Sequence, residues 1–313
     1  MNKLSISVIV PTYKRVTYLS QCIDSILPQL SESDEVIVVY RDTDIDTENF
    51  LEHICKDNNK IVCSTVDVAG HLPPLVRGIK LASKDIVAVV DDDATVCTDW
   101  VRNIKDMYSD PTVGAIGGRV IQYYNGKQEA EENTSVVGKL TWYGKCIGNL
   151  NKLPNKDIIE VSLLPGGNMS YRLEIAKNLH IDETVNIGAA INYELDLCLQ
   201  VRKLGYKVIY NKNVFIHHYN ANRQINEKRN DLRAYVRHYS FTYTYILLKN
   251  STPLKKVFFL FYFYLIGQRM SPGVLTYFYM LLKRDKLRYN ALEATVYKTK
   301  GVCAYIKYKL LKN

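Results

Sequence analysis

Three consecutive carboxylates, Asp91, Asp92 and Asp93, follow the apolar run Ile86–Val90. Adjacent carboxylates raise one another's pKa unless a cation or hydrogen-bond donors meet them. At the tip of a strand, period-2 geometry puts Asp91 and Asp93 on one side and Asp92 on the other. Such a tip is either a solvated turn or a site for a hard divalent cation, with two ligands and one structural acid. Other residues able to do chemistry lie far downstream. His217 and His218 close an extended segment, and Gly166-Gly167-Asn168 form a turn that is either ordinary or one where backbone approaches a ligand closely. Glu194 and Asp196 open a helical stretch, where the helix dipole favours carboxylates. Two residues apart on a helix, their side chains diverge by about 200°, so they are not expected to share one role.

The elements that must position these residues alternate. Ser5–Val10 reads as a strand, Tyr18–Leu30 as a helix with Leu19, Cys22, Ile23, Ile26, Leu27 and Leu30 on one face, and Glu35–Tyr40 as a strand. Asn49–Lys56 is helical, Lys60–Ser64 extended, Leu75–Ala82 helical and Asp85–Val90 extended. This alternation predicts an α/β fold with a mostly parallel central sheet flanked by helices. Ligands of such sheets lie outside the carboxyl ends of the strands, which would bring Pro11-Thr12-Tyr13, Arg41-Asp42 and Asp91–Asp93 to one rim. Gly114–Val120 is extended, 122–160 reads as a polar loop or lid, and the glycine turn is expected to feed a helix from Arg172. Glu194–Leu204 is a helix burying Leu195, Cys198, Val201, Leu199 and Leu204, with Gly205 as its C-cap.

The 313-residue chain has room for two domains. Its seven cysteines are odd in number and contain no CxxC pair, which argues against a disulfide framework or a cysteine zinc site and suits a reducing interior. Ile6–Val10 is too short for a signal peptide and stops at Pro11. The net charge of +9 is unevenly spread: from Arg223 onward there are 18 Lys and Arg against 4 Asp and Glu, whereas residues 1–222 carry 23 against 28. That split predicts two jobs and two domains, 1–222 and 223–313.

Five segments in order resemble family 2 glycosyltransferases of the nucleotide-diphospho-sugar transferase (GT-A) fold. They are SVIVPTYKR with LxxCIxSI, VVDDDA, GGNMSYR, ExDLCLxxRxxGY from Glu194, and the stretch from Tyr210 to His218. The resemblance implies an enzyme moving a sugar from a nucleoside-diphosphate donor to an acceptor hydroxyl with inversion. It assigns Pro11, Tyr13, Arg15, Asp42, Arg77, Asp91 and Asp92 to the donor, although Val76 stands where many relatives have Asn. Asp93, with Asp91 and His218, is implied to hold Mg²⁺ or Mn²⁺, with His217 as the alternative imidazole. Glu194 falls at the place of the catalytic base, Asp196 is the second acid, and Gly166, Gly167 and Asn168 border the acceptor. His71 lines the donor site or is structural.

The basic tail is rich in aromatics. Val257–Ile266 is ten apolar residues, about 15 Å of helix and half a bilayer core, so this run alone should not cross a membrane. With Val274–Leu282 after the break at Ser271-Pro272-Gly273, it predicts a helical region lying on an anionic membrane, with Tyr262, Tyr264, Tyr277 and Tyr279 at headgroup level. The same composition would serve a helical domain or a homo-oligomer interface. A peripheral enzyme on the cytoplasmic face would extend a lipid-linked glycan in surface polysaccharide synthesis. No nucleic acid is expected, because the aromatics come in blocks and are not interleaved with cations as a stacking platform needs. Two alternatives are a nucleotidyltransferase, which would carry a Gly-rich phosphate loop where this chain has PTYKR, and a non-catalytic binding protein on the same scaffold.

Overall fold

A computed structural model describes residues 4–221, 231–286 and 290–312. The expected domain boundary at 222/223 lies outside the described residues. The chain divides into two compact units, the first made of residues 1–139, 148–181 and 197–224, the second of 140–147, 182–196 and 225–313. The division falls within a helix, after Asp196.

The first unit alternates as its sequence predicts. Strand β1 (Ile6–Thr12) leads to α1 (Val16–Ile26), β2 (Glu35–Arg41), α2 (Ile45–Asp57), β3 (Ile61–Val66), α3 (Leu72–Leu81) and β4 (Ile86–Val90). A short β5 (Ala94–Val96), α4 (Trp100–Met107) and the long β6 (Val113–Tyr124) follow. Strands β4, β1, β2 and β3 are mutually parallel. All five residues of β4 and nearly all of β1 are buried, the near-continuous apolar run of strands covered on both faces. Helix α1 buries Leu19, Cys22, Ile23 and Ile26, the predicted stripe. It stops earlier than expected, because Pro28 opens a 3₁₀ turn over Leu27–Gln29. Helix α2 starts earlier than expected, because Asp44 caps it by accepting from Thr47 N. Helix α3 packs so closely on β1 that a Cβ at Gly78 would lie 2.5 Å from an Ile9 methyl.

The sheet is mixed, with antiparallel strands set among the parallel ones. The strand Asn168–Arg172 runs antiparallel between β4 and β6, where sequence reading placed a turn entering a helix at Arg172; helix α5 (Leu173–Asn178) begins one residue later. On the far side of β6 the strand Lys207–His218 lies parallel to it, and β5 pairs antiparallel with the end of that strand. Residues 122–160 contain short strands, including Asn133–Thr134 paired with Leu153–Pro154 and Ile158–Glu160 paired with the strand Lys207–His218. Helix α6 (Tyr193–Lys203) buries Leu195, Cys198 and Val201, but Leu204 lies past its end and is exposed.

The second unit contains the start of α6 and helices α7 (Leu232–Asn250), α8 (Pro253–Leu265), α9 (Val274–Leu282) and α10 (Ala291–Lys312). A two-residue hairpin, Gly267–Gln268 with Ser271–Pro272, joins α8 to α9. Tyr262, expected at headgroup level, is buried against Tyr143 and Phe263. Among the described residues no helix is long and apolar enough to cross a membrane.

Buried polar groups brace this unit. Lys249 Nζ lies 2.9 Å from Asp182 Oδ2 and 2.6 Å from Asp196 Oδ2, Asn250 donates to Asp196 Oδ1, and the Tyr245 hydroxyl donates to Asp182. Burial pushes the Asp182 carboxyl up, but Tyr245 and Lys249 outweigh it and hold the pKa at about 2. Lys298 is buried with Nζ donating to the carbonyls of Phe263 and Pro272, and burial brings its pKa down to about 7.

Candidate functional site

The acidic run sits on a tight turn. Ala94 N donates to Asp91 O, so the chain reverses directly after β4 and enters β5. The turn, and not strand alternation, brings Asp91 and Asp93 together. Antiparallel pairing sets Ala94 opposite His218, and parallel pairing sets Gln122 of β6 opposite the same histidine. His218 Nε2 lies 3.0 Å from Asp93 Oδ1 and 3.6 Å from Asp91 Oδ2. One donor atom from each of the three residues falls within 4.8 Å of the others. His217, one residue earlier, faces Tyr123 and Phe215 instead, and burial lowers its pKa.

Each of these three side chains is oriented. Asp93 accepts from Ala221 N at 2.9 Å and is almost wholly buried. Gln122 Oε1 accepts from Asn220 Nδ2 and lies 3.0 Å from His218 Nδ1. That carbonyl oxygen holds the proton on Nδ1 and leaves Nε2 to face the carboxylates. Asp91 is fixed from the other side by the Pro165–Asn168 turn, where a Cβ on Gly167 would sit 2.1 Å from Asp91 Oδ2. The register Asn168↔Val90 delivers the turn to this place.

Asp92 has partners outside the trio. It accepts from Thr12 Oγ1 at 2.8 Å and from Arg15 Nη1 at 2.8 Å, and Arg15 also lies 3.5 Å from Asp93. Burial pushes the Asp92 carboxyl up to about 6 against the pull of Arg15. Burial works against the Arg15 charge, and Asp92 and Asp93 more than restore it. Arg15, expected at the donor, is thus tied to two carboxylates.

The remaining predicted residues separate into groups. Pro11 and Asp42 lie at the carboxyl ends of β1 and β2, with Asp42 half-exposed and Arg41 Nε 3.8 Å from it. Arg41 Nε is buried and has no hydrogen-bond partner among the described residues. Tyr13 precedes Lys14, which has φ of +53° and donates its N–H to Asp44, the cap of α2. Arg77 is on the exposed side of α3, bonded to Ser64 of β3. Asn168 is fully buried: it accepts from Trp100 Nε1 and donates to the carbonyls of Val214 and Arg119. An acceptor contact from this side chain does not fit that placement, whereas Gly167 lies beside Asp91. In the second unit, Asp196 is 1 % exposed and engaged by Lys249 and Asn250. Glu194 is half-buried in the first turn of α6, and the Cys146 thiol is pushed up to about 12 by burial and then by Glu194. Gln122, Asn220 and the backbone of Ala221 were not found by sequence reading, since their roles depend on strand order, and the cap Asp44 was not singled out either.

Two carboxylates and an imidazole, with one ligand atom of each within 4.8 Å of the others, fit a hard or borderline divalent ion such as Mg²⁺ or Mn²⁺.

A mixed α/β sheet with an acidic turn at the end of its fourth strand is a GT-A-like fold. Solved structures share it: GalNAc-T7 with UDP, GalNAc and Mn²⁺ aligns with a TM-score of 0.61 at 13 % identity over 91 % of this chain and 59 % of that one. The mannosyltransferase PcManGT from Pyrobaculum calidifontis, in complex with GDP-Man and Mn²⁺, aligns with a TM-score of 0.59 at 14 % identity over 96 % and 88 %. This chain therefore spans less than two thirds of the length of the first and most of the second. The glucosyl-dolichyl phosphate glucuronosyltransferase of Haloferax volcanii is 24 % identical over 224 residues, 69 % of either chain. The Glycosyl transferase family 2 model matches residues 7–179, and the chain belongs to that family.

Proposed function

We propose that the protein is an inverting, divalent-metal-dependent glycosyltransferase. It moves a sugar from a nucleoside diphosphate to a hydroxyl of a lipid-linked glycan, in surface polysaccharide synthesis on the cytoplasmic face of a membrane. The observation that carries this reading is the convergence of Asp91, Asp93 and His218 at the carboxyl edge of the parallel strands. When bound there, Mg²⁺ or Mn²⁺ would neutralise charge on the departing diphosphate. Asp93 and Asp91 supply the anionic oxygens. Gln122 keeps the Nε2 lone pair of His218 turned toward them, and Arg15, locked on Asp92, keeps the third carboxylate out of the set.

On the donor side, Arg41 Nε is a buried donor ready for an acceptor atom of the nucleotide, and Asp42 and Tyr13 stand at the same strand ends. Glu194 is the base. A glutamate of ordinary pKa, ~4.3, accepts the hydroxyl proton late, as C–O bond formation acidifies it. Asp196 holds Lys249 in place and takes no part.

The lipid-linked acceptor is supported by the name of the Haloferax relative and by the second unit. Helices α8 and α9 leave Leu254, Val257, Phe261, Phe278 and Leu282 exposed beside Lys255, Lys256, Lys283 and Arg284. An apolar face with basic neighbours suits a helix lying in an anionic headgroup plane.

The test is a panel of UDP-, GDP- and dTDP-sugars with Mg²⁺, Mn²⁺ or chelator, read as nucleoside diphosphate released. One donor should turn over with metal, and both Asp93→Ala and Glu194→Ala should silence it. Turnover by no donor under any condition would overturn the enzyme reading. The anomeric configuration of the product, read by NMR, tests inversion.

A further inference from the structure

Cys55 lies near the end of α2 and Cys63 in β3, eight residues apart, and their sulfurs are 3.0 Å apart. A disulfide bond is roughly 2.05 Å long, so about one ångström of approach separates this contact from a covalent link. The placement follows from the packing. Ile61 and Cys63 share one side of β3, and Ile61 packs in the core that also receives Phe50, Ile54 and Cys55 from α2. Cys63 is exposed and Cys55 half-buried, so a small reagent can reach the pair. Strand β3 is the last of the sheet, bonded to β2 on one side through Val38↔Cys63.

We propose that Cys55 and Cys63 form a redox modification site, a dithiol that low-molecular-weight disulfides such as oxidised glutathione convert to an intramolecular disulfide. In the first step the Cys63 thiolate attacks one sulfur of the reagent, breaking its S–S bond and releasing one thiol. In the second, Cys55 attacks Cys63 of the mixed disulfide, forms the protein disulfide and releases the second thiol. Two electrons and two protons leave the protein and reside on two reagent thiols. Burial, and then the Cys55 thiol, push the Cys63 pKa up to about 12, so the exchange accelerates as pH rises. The link would fasten the end of α2 to β3. That strand also anchors the donor side of the sheet: Val66 O accepts from Asp42 N, and Ser64 accepts from Arg77.

The full chain is incubated with oxidised glutathione across pH 7 to 9, quenched in acid, alkylated and digested with trypsin without reduction. Trypsin cuts after Lys56 and Lys60, so the two cysteines leave in separate peptides. The expected product is those two peptides joined, two hydrogens lighter than their sum, with two fewer alkylated cysteines, and reversed by dithiothreitol. Cys55→Ser should instead trap glutathione on Cys63. Full alkylation of both cysteines after treatment, stable glutathionylation of the native pair, or pairing of either cysteine with a different one would overturn the proposal. Because the readout is mass alone, it stands or falls independently of the transferase activity.

Discussion

Gly167 lies where any side chain would collide with Asp91: a Cβ there would be 2.1 Å from the carboxylate oxygen Oδ2. The glycine is thus a spatial requirement of the acidic turn, set by a strand pairing and not by an unusual backbone angle. Gly167→Ala should push the carboxylate away from His218 and weaken Mn²⁺ binding by on the order of 10- to 100-fold, the range typical when groups that orient ligands are disturbed. Titration followed by electron paramagnetic resonance measures this, with thermal unfolding as the check that the fold persists.

Gln122 should act on the metal at one remove. Replacing it with Leu removes the acceptor for His218 Nδ1 and for Asn220, and the imidazole then loses its enforced tautomer. The expected loss is again about 10- to 100-fold in Mn²⁺ affinity. Gln122→Glu, which keeps an acceptor oxygen, should recover most of it. Equal affinity in all three proteins would remove Gln122 from any positioning role.

The buried trio of the second unit makes a prediction about acid. Asp182 has a folded pKa of about 2, below the usual value, so its contribution is present above pH ~4 and is lost as pH falls toward 2. That contribution is about 2 kcal/mol. Lys249→Met leaves two buried carboxylates without their cation and should cost about 3–5 kcal/mol at pH 7. Chemical denaturation of wild type, Asp182→Asn and Lys249→Met at several pH values reports both effects.

Lys298 also makes stability rise with pH, but through a charge that burial disfavours. Its folded pKa of about 7 lies below the unfolded ~10.4, so the folded state holds fewer protons between those values and stability rises with pH there. The difference in melting temperature between wild type and Lys298→Met should therefore shift in favour of wild type from pH 7 to pH 9. A difference that does not change with pH would mean that the amine stays charged in its carbonyl cradle.

Membrane contact is checked with exposed residues only, so that folding is spared. The triple change Phe261→Ser, Phe278→Ser and Leu282→Ser should abolish co-sedimentation with vesicles containing phosphatidylglycerol and leave the melting temperature within a few degrees. Retained sedimentation would sink the lipid reading, and loss of a dimer in solution would mark the face as a subunit interface.

What sequence reading found depended on range. The stripe of α1 and the apolar strands β1, β2 and β4 are local patterns, and they appear where expected. The acidic turn and His218 were legible because a motif marks each. The strand Asn168–Arg172 was not: nothing in its own residues says that it runs antiparallel between β4 and β6. Asn168 looked like a ligand contact because it follows two glycines, yet its amide closes a buried network with Trp100. Asp196 likewise looked catalytic from its spacing, and only the tertiary fold shows Lys249 and Asn250 around it. The cap Asp44 was local and legible in principle, since an Asp three residues before Thr47 is an N-cap signal.

Arg15, buried against Asp92, also has a consequence for where an added cation would be met. Its guanidinium lies 2.8 Å from Asp92 and 3.5 Å from Asp93, so a positive charge of the chain's own already answers one end of the acidic run. An added cation would therefore meet the side that Asp91 and Asp93 share with His218, and Asp92 is left to hold the loop after the first strand.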